Sequence, residues 1–189
     1  KKKKSFKIGY FGSIFKSRGI DMIIKLSILD KKNNYLIYGG SLEEIKDIKK
    51  NIKNKNIRFM PYLPYSEVSK KLKNIDICIL PYTSKVTVSG NVGDISKYTS
   101  PLKIFDYMKL GKLIISSNLT VLKEILVDKK NCLLINNYKD EHEWKKTISS
   151  VSKNFNKFDA IRKNAFNYAN KFDLNWRVKK LISFEKTSK

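Results

Sequence analysis

The sequence predicts an α/β fold of the Rossmann-like, doubly wound type, with a mostly parallel sheet of about six strands. Short runs rich in β-branched and aromatic residues alternate with stretches of helical periodicity, and this alternation is typical of βαβ units. A chain of 189 residues with 41% hydrophobic residues can bury one proper core. We therefore predict one domain over residues 6–189, preceded by a basic linker or disordered end at residues 1–5.

Each predicted element follows from local periodicity and composition. The predicted strands are residues 7–11, 35–38, 57–59, 77–80, 113–116 and 133–135. The predicted helices, each with an apolar stripe, are residues 20–29, 42–52, 66–72, 101–110 and 121–126, and the tail from about residue 141 is predicted to be helical to the end. Residues 82–98 contain a Ser-Gly-Asn-Val-Gly sequence and are predicted to form a mobile loop of the kind that often covers a site.

The start of the fourth predicted helix carries the strongest functional pattern. Ser100 is a good N-cap and Pro101 fits the first helical position, so the free N–H groups near Leu102 and Lys103 lie at the positive end of the helix dipole. Such an end favours phosphate, and Lys103 adds a mobile cation. Asp106 lies on the same helix face, where its carboxylate could accept hydrogen bonds from sugar hydroxyls. The alternative is an exposed i,i+3 pair that contributes little to stability.

This helix and the strand behind it resemble the nucleotide-sugar motif of the group 1 (family 4) glycosyltransferases of the GT-B fold. The resemblance is carried by Ser-Pro-Leu-Lys-Ile-Phe-Asp-Tyr-Met at residues 100–108, by Gly111-Lys112, and by Leu-Ile-Ile-Ser-Ser-Asn-Leu-Thr-Val-Leu-Lys-Glu-Ile at residues 113–125. Further segments resemble the family in the same order along the chain: residues 8–12 with 18–21 (first strand and phosphate-contacting loop), 35–40 (second strand), 57–63 (base-binding segment), 74–81 (the next strand) and 172–177 (start of the closing helix).

The resemblance implies a domain that binds a nucleoside-diphosphate sugar, a UDP- or GDP-sugar, for transfer of the sugar to an acceptor. Transfer would retain the anomeric configuration and would require no cofactor and no metal ion. Arg18 and Lys103 would be the catalytic cations that neutralise the departing diphosphate. The implied donor-binding residues are Gly12, Tyr62, Leu63, Ser100, Pro101, Leu102 and Asp106.

GT-B enzymes have two Rossmann-like domains with the active site between them, and the resemblance covers only the C-terminal one. We therefore expect an N-terminal acceptor-binding domain, on the same or a separate chain, as a partner. Without such a domain we expect nucleotide binding but no transfer at an enzymatic rate, because the acceptor must be positioned against the donor.

Taken individually, several of these residues also fit structural roles. Gly12 would suit a tight strand-to-helix turn, Arg18 would suit a surface cation, and Tyr62 and Leu63 would suit turn or core positions that reach a base only through their backbone. His142 lies between two glutamates on a predicted exposed helix and is interpreted as structural. A Rossmann-like nucleotide-binding protein outside sugar transfer is disfavoured because no Gly-x-Gly-x-x-Gly or Walker pattern is present.

Three departures from the family pattern leave the sugar and the catalytic competence open. Tyr98 stands where many relatives carry a second acid, Asp106 is one methylene shorter than the usual Glu, and Ser13 stands where an Arg is common. Asp94 in the predicted loop is the remaining carboxylate that could read the sugar. The alternative function is a catalytically inactive nucleotide-sugar-binding partner subunit or remnant.

The formal net charge of +23 would ordinarily suggest a nucleic-acid or anionic-membrane partner. Lysine accounts for 36 of the 40 basic residues and is spread over the whole chain. Since phosphate-reading sites favour arginine, we expect no nucleic-acid partner and leave an anionic membrane surface open.

Cys78 and Cys132 lie in apolar runs without metal-ligand neighbours and are predicted to be reduced core thiols. No run approaches the ~20 apolar residues of a membrane span, and no signal-peptide pattern is visible. We expect a cytoplasmic location, with peripheral attachment to a membrane left open.

Overall fold

A computed structural model describes residues 5–15, 18–83 and 102–171. The strands are β1 (Lys7–Phe11), β2 (Asn34–Tyr38), β3 (Ile57–Met60), β4 (Ile77–Leu80), β5 (Leu113–Ser117) and β6 (Leu133–Ile135). The α-helices are α1 (Ile20–Leu29), α2 (Leu42–Lys50), α3 (Tyr65–Lys73), α4 (Leu102–Lys109), α5 (Glu141–Lys153) and α6 (Asp159–Asn170). Two 3₁₀ turns lie at Thr120–Leu122 and Phe155–Phe158.

The six strands form one sheet in the order β3-β2-β1-β4-β5-β6, and every neighbouring pair is parallel. The chain builds outward from β1 to β3 and then resumes at β4 on the other side of β1. The strand order therefore reverses between β1 and β4, which is the topological switch point of a doubly wound sheet. The predicted fold class is confirmed.

The core follows from burial of the sheet on both faces. All four residues of β4 and all five of β5 are buried, as expected for central parallel strands covered by helices on each side. On α5 the buried residues are Trp144, Ile148 and Val151, which share one face at helical spacing. Cys78 and Cys132 are free thiols buried in this core, as predicted.

Two predicted elements are corrected by the structure. The helix predicted at residues 121–126 is wrong, because only the 3₁₀ turn Thr120–Leu122 forms there. The Asn131 side chain accepts from the Val127 N–H and donates to the Ile125 carbonyl, so these backbone groups have side-chain partners instead of helical ones. The tail from residue 141 is two helices separated by a 3₁₀ turn, and its predicted continuation past residue 171 lies outside the described residues.

The two halves of the sheet meet where Gly19 precedes α1. Gly19 has a φ of 77°, and a Cβ built on it would overlap the carbonyl oxygen of Pro81, the residue after β4. Because this neighbour is backbone, it cannot rotate away as a side-chain tip could. Gly19 therefore allows the chain entering α1 to pack directly on the end of β4.

Gly19→Ala should lower the free energy of unfolding by about 2–5 kcal/mol, the sum of a left-handed backbone penalty and an overpacking penalty. Gly111→Ala is the matched control, since Gly111 also has a positive φ, of 58°, but a Cβ there would meet no atom within 4 Å. For Gly111→Ala, the free energy of unfolding should fall only by the backbone penalty, about 1–2 kcal/mol. Urea unfolding of both variants measures the difference, and equal losses would show that the Pro81 contact is unimportant.

Candidate functional site

The loop after β1 lies at the switch point, in line with the ends of β2 and β3. The Gly12 N–H donates to the Tyr38 carbonyl at 2.8 Å, the Gly39 N–H donates to the Met60 carbonyl at 3.0 Å, and the Tyr62 N–H donates to the Gly40 carbonyl at 3.3 Å. These three bonds run across the carboxyl edge of the sheet. They fix the Gly12 loop relative to the segment after β3 that was predicted to bind a base.

Two cations converge on the crevice between β1 and β4. The Lys103 Nζ, from the first turn of α4, lies 4.9 Å from the ring centroid of Tyr10 and 5.6 Å from that of Tyr82. The Arg18 Cζ lies 5.5 Å from the Tyr82 centroid. A Cβ on Gly12 would overlap the Lys103 ammonium. The structure thus brings Gly12, Arg18 and Lys103 together around the rings of Tyr10 and Tyr82, and the roles of these three residues stay predictions.

The floor of this crevice is aromatic and uncharged. Tyr10 and Tyr107 are fully buried, and burial raises the pKa of both phenols well above the ordinary tyrosine value. The Tyr10 hydroxyl donates to the Ser13 carbonyl at 2.9 Å, and the Tyr107 hydroxyl accepts from the Phe11 N–H at 3.1 Å. Both hydroxyls therefore fix the backbone on either side of Gly12. Both tyrosines lie in segments that resemble the family, residues 8–12 and 100–108, but no pattern in the sequence assigns them this role.

Asp106 is placed at the mouth of a groove between α3 and α4. Its Oδ1 accepts a hydrogen bond from the hydroxyl of Tyr65, at the start of α3, at 3.0 Å. The groove has a volume of about 300 Å³ and is lined below this pair by apolar side chains that include Val68, Leu72 and Leu110. A carboxylate oriented by one neutral donor retains acceptor capacity on its second oxygen. Tyr65 is a candidate site residue that the sequence analysis missed.

The remaining predicted site residues are not all described. Tyr62 is about half exposed and its backbone N–H is engaged by Gly40, while Leu63 packs against the core. Leu102 begins α4, whereas Ser100 and Pro101 lie outside the described residues, as does the predicted loop that contains Asp94 and Tyr98. The N-cap assignment and the loop therefore stay predictions.

Other features of the described residues add no second site of known chemistry. His142 is exposed on α5, as predicted, and its backbone N–H donates to the carboxylate of Asp140, the N-cap of that helix. Within residues 5–15, 18–83 and 102–171, no three His, Cys, Asp or Glu side chains gather into a group that could hold a metal ion. In the same ranges, no helix has both the length and the apolarity to span a membrane.

The hydrogen bond between Tyr65 and Asp106 gives a titration test. The bond and the charge of the carboxylate raise the pKa of Tyr65, because both favour the neutral phenol. Asp106→Asn should lower that pKa toward the ordinary value, as read by tyrosine-specific NMR titration. The pKa of Tyr38 is raised by burial instead and should not move. In the wild type, the stability from the bond should be present below the ordinary tyrosine pKa and should be lost as pH rises through the raised value.

The comparisons with known proteins show the family and the fold of this chain. Residues 1–168 match the family described as Glycosyl transferases group 1. The Anabaena protein Alr3699/HepE, solved in complex with UDP and glucose, is similar with a TM-score of 0.76 at 15% identity, over 98% of this chain and 49% of that one. A glycosyltransferase from Rickettsia africae ESF-5 is similar with a TM-score of 0.76 at 14% identity, over 98% of this chain and 48% of that one.

A separately solved C-terminal domain of LpcC, a group 1 family glycosyl transferase from Francisella tularensis, has a TM-score of 0.67 at 17% identity, over 88% of this chain and 85% of that one. No curated protein sequence matches. The chain spans about half the length of the HepE structures. These likenesses show the fold, and the match over residues 1–168 shows the family. The chain belongs to the glycosyl transferases group 1 and has the fold of the C-terminal domain of a GT-B enzyme.

Proposed function

We propose that this chain is the donor-binding domain of a glycosyltransferase, which binds a UDP- or GDP-sugar for transfer of the sugar to an acceptor. The observation that carries the proposal is the convergence of Arg18 and Lys103 on one ring at the β1/β4 switch point. Ligands of doubly wound sheets bind at this place, beyond the carboxyl ends of the strands. The similar HepE structures are complexes with UDP, with UDP and glucose, and with UDP-glucose.

In this proposal the diphosphate lies over the loop after β1. Gly12 presents no side chain, so phosphate oxygens can approach the backbone beside the Lys103 ammonium. When the bond from the anomeric carbon to the phosphate oxygen breaks, negative charge develops on the departing nucleoside diphosphate. Arg18 and Lys103 would stabilise that charge, and fixed cations do so most effectively when water is excluded. This supports transfer without a divalent ion, and retention of configuration is proposed from the family resemblance.

The nucleoside would extend from this loop along the carboxyl edge of the sheet. The three backbone hydrogen bonds described above connect Gly12 to Tyr62, so the phosphate and base subsites would be held in one register. Asp106 would accept hydrogen bonds from the ribose hydroxyls with the oxygen that Tyr65 leaves unused. The base would contact the segment formed by Tyr62 and Leu63.

Transfer also requires an acceptor held against the donor, and such positioning is worth about 7–11 kcal/mol of the barrier. We therefore propose that activity depends on an N-terminal acceptor-binding domain, in the same or a separate chain.

The proposal also includes one domain over residues 6–189, a cytoplasmic location and attachment to an anionic membrane surface. It includes no nucleic-acid partner.

A nucleotide-sugar-binding partner without catalytic activity is the second candidate. It is favoured by Tyr98, which stands where many relatives carry an acid, and by the shorter acid Asp106. Both candidates bind the nucleoside diphosphate, and sugar transfer in the presence of the acceptor-binding domain separates them.

Lys103→Ala should weaken UDP binding by about 10-fold to 100-fold while leaving uridine binding nearly unchanged, because a charge-assisted contact to phosphate contributes about 1.5–3 kcal/mol. Isothermal titration with both ligands measures the two affinities. Lys46→Ala is the control, since it removes one exposed lysine charge from α2, away from the crevice. Equal losses for UDP and uridine in the Lys103 variant would contradict the phosphate role.

Asp106→Asn should instead reduce the preference for UDP over 2′-deoxy-UDP, since a neutral amide oxygen accepts a hydrogen bond from a ribose hydroxyl less strongly than a carboxylate does. The affinity ratio of the two ligands is the measurement. Lys103→Ala should weaken the binding of both ligands and leave the ratio of their affinities unchanged. A ratio that Asp106→Asn leaves at its wild-type value would remove Asp106 from the ribose site.

A further inference from the structure

We infer that Tyr82 is a positioning residue that holds the two leaving-group cations, Arg18 and Lys103, in place without neutralising them. The inference rests on the proposed function, in which these cations bind the diphosphate, and it adds a residue that the binding proposal does not use. It predicts that the Tyr82 ring, and not its hydroxyl, sets the affinity for the diphosphate.

The ring is anchored where the two halves of the sheet meet. Tyr82 is only 2% exposed and follows Pro81, whose carbonyl packs against the backbone of Gly19. Arg18 immediately precedes that glycine. The backbones of Arg18 and Tyr82 therefore flank the same close contact, and the Arg18 Cζ lies 5.5 Å from the centroid of the Tyr82 ring.

Lys103 reaches the same ring from another part of the chain. It is carried by α4, and its ammonium lies 5.6 Å from the Tyr82 centroid and 4.9 Å from the Tyr10 centroid. Tyr82 thus contacts both cations, whereas Tyr10 contacts Lys103. Loss of the Tyr82 ring would free Arg18 from this contact and leave the Tyr10 ring as the aromatic neighbour of Lys103 among the described residues.

An aromatic ring suits this task better than a carboxylate. The negative face of a ring attracts a nearby cation, and the attraction is stronger where water is excluded. The ring carries no net charge, so both cations keep their full charge for the diphosphate. A carboxylate would form ion pairs that the incoming phosphate must break. Among the ion pairs of the described residues, none involves Arg18 or Lys103.

Fixed cations also bind the diphosphate at lower entropic cost. Arg and Lys side chains lose considerable rotamer freedom when they are immobilised, and two like charges placed side by side repel each other. If the ring orders both side chains before the ligand arrives, the entropy of ordering them is not lost during binding. The effect should appear in ligands that carry the diphosphate and be absent in ligands that do not.

The test compares three residues at position 82 in the full chain. Tyr82→Phe keeps the ring, Tyr82→Leu removes it while keeping a buried apolar side chain, and pentafluorophenylalanine keeps the shape while reversing the charge on the ring face. UDP and uridine are titrated calorimetrically into each. We expect the Phe variant to bind UDP with the affinity of the wild type. The Leu and pentafluorophenylalanine variants should bind UDP about 10-fold more weakly, because the cation–π contacts are lost. The affinity for uridine should stay within about 2-fold of the wild-type value in all three.

Equal weakening by Phe and Leu would overturn the inference, because the hydroxyl would then be responsible. Equal weakening of UDP and uridine would also overturn it, since that outcome indicates a general loss of structure. If the Leu variant does not fold, the pentafluorophenylalanine protein decides the question, because its volume is close to that of the native ring.

A second measurement separates failure of this inference from failure of the proposed function. Ring currents should displace the Lys103 ε-methylene NMR signals of the ligand-free protein, assigned with Lys103→Gln. The displacement should persist with Phe and shrink with Leu. Failure of the wild type to bind either UDP or GDP would reject the proposed function, and the NMR comparison would still decide whether Tyr82 holds Lys103. An unchanged Lys103 signal in the Leu variant would overturn the inference.

Discussion

The close approach of the Gly19 backbone to the Pro81 carbonyl is the constraint on which the rest of the structure depends. It sits at the junction of the two halves of the sheet, where β1 and β4 pair as parallel neighbours. Because no side chain intervenes, α1 begins directly against the end of β4. The turn that carries Arg18 and the residue that carries the Tyr82 ring are consequently held together before any ligand contributes.

The carboxyl edge of the sheet extends this constraint to the segment after β3, the proposed base subsite. The hydrogen bonds made by Gly12, Gly39 and Tyr62 use backbone groups only, so they do not depend on which side chains the loops carry. A second contact of backbone atoms supports them, since a Cβ on Gly39 would overlap the carbonyl of Gly12. The relative placement of the proposed phosphate and base regions therefore follows from strand pairing, while the proposed contacts to ribose come from side chains that α3 and α4 add.

Much of the fold could be predicted from the sequence because its elements are locally encoded. The bounds of β1, β4, β6 and α1 agree with those predicted, since each is a short, mostly apolar run or a clear apolar stripe. The segment after β5 could not be predicted in this way. Its apolar spacing is compatible with a helix, but Asn131 supplies side-chain partners to the backbone at Ile125 and Val127, and this competition is invisible to a periodicity argument.

The sequence by itself determined the fold class and placed a cation and an acid, Lys103 and Asp106, on one helix whose motif resembles a nucleotide-sugar site. Only the tertiary structure decided which groups surround them. The rings of Tyr10 and Tyr82 lie next to the Lys103 ammonium, and the Tyr65 hydroxyl donates to the Asp106 carboxylate. The physical reason is sequence separation. These tyrosines come from the end of β1, the end of β4 and the start of α3, and they reach α4 only because parallel pairing aligns the carboxyl ends of distant strands at one edge of the sheet.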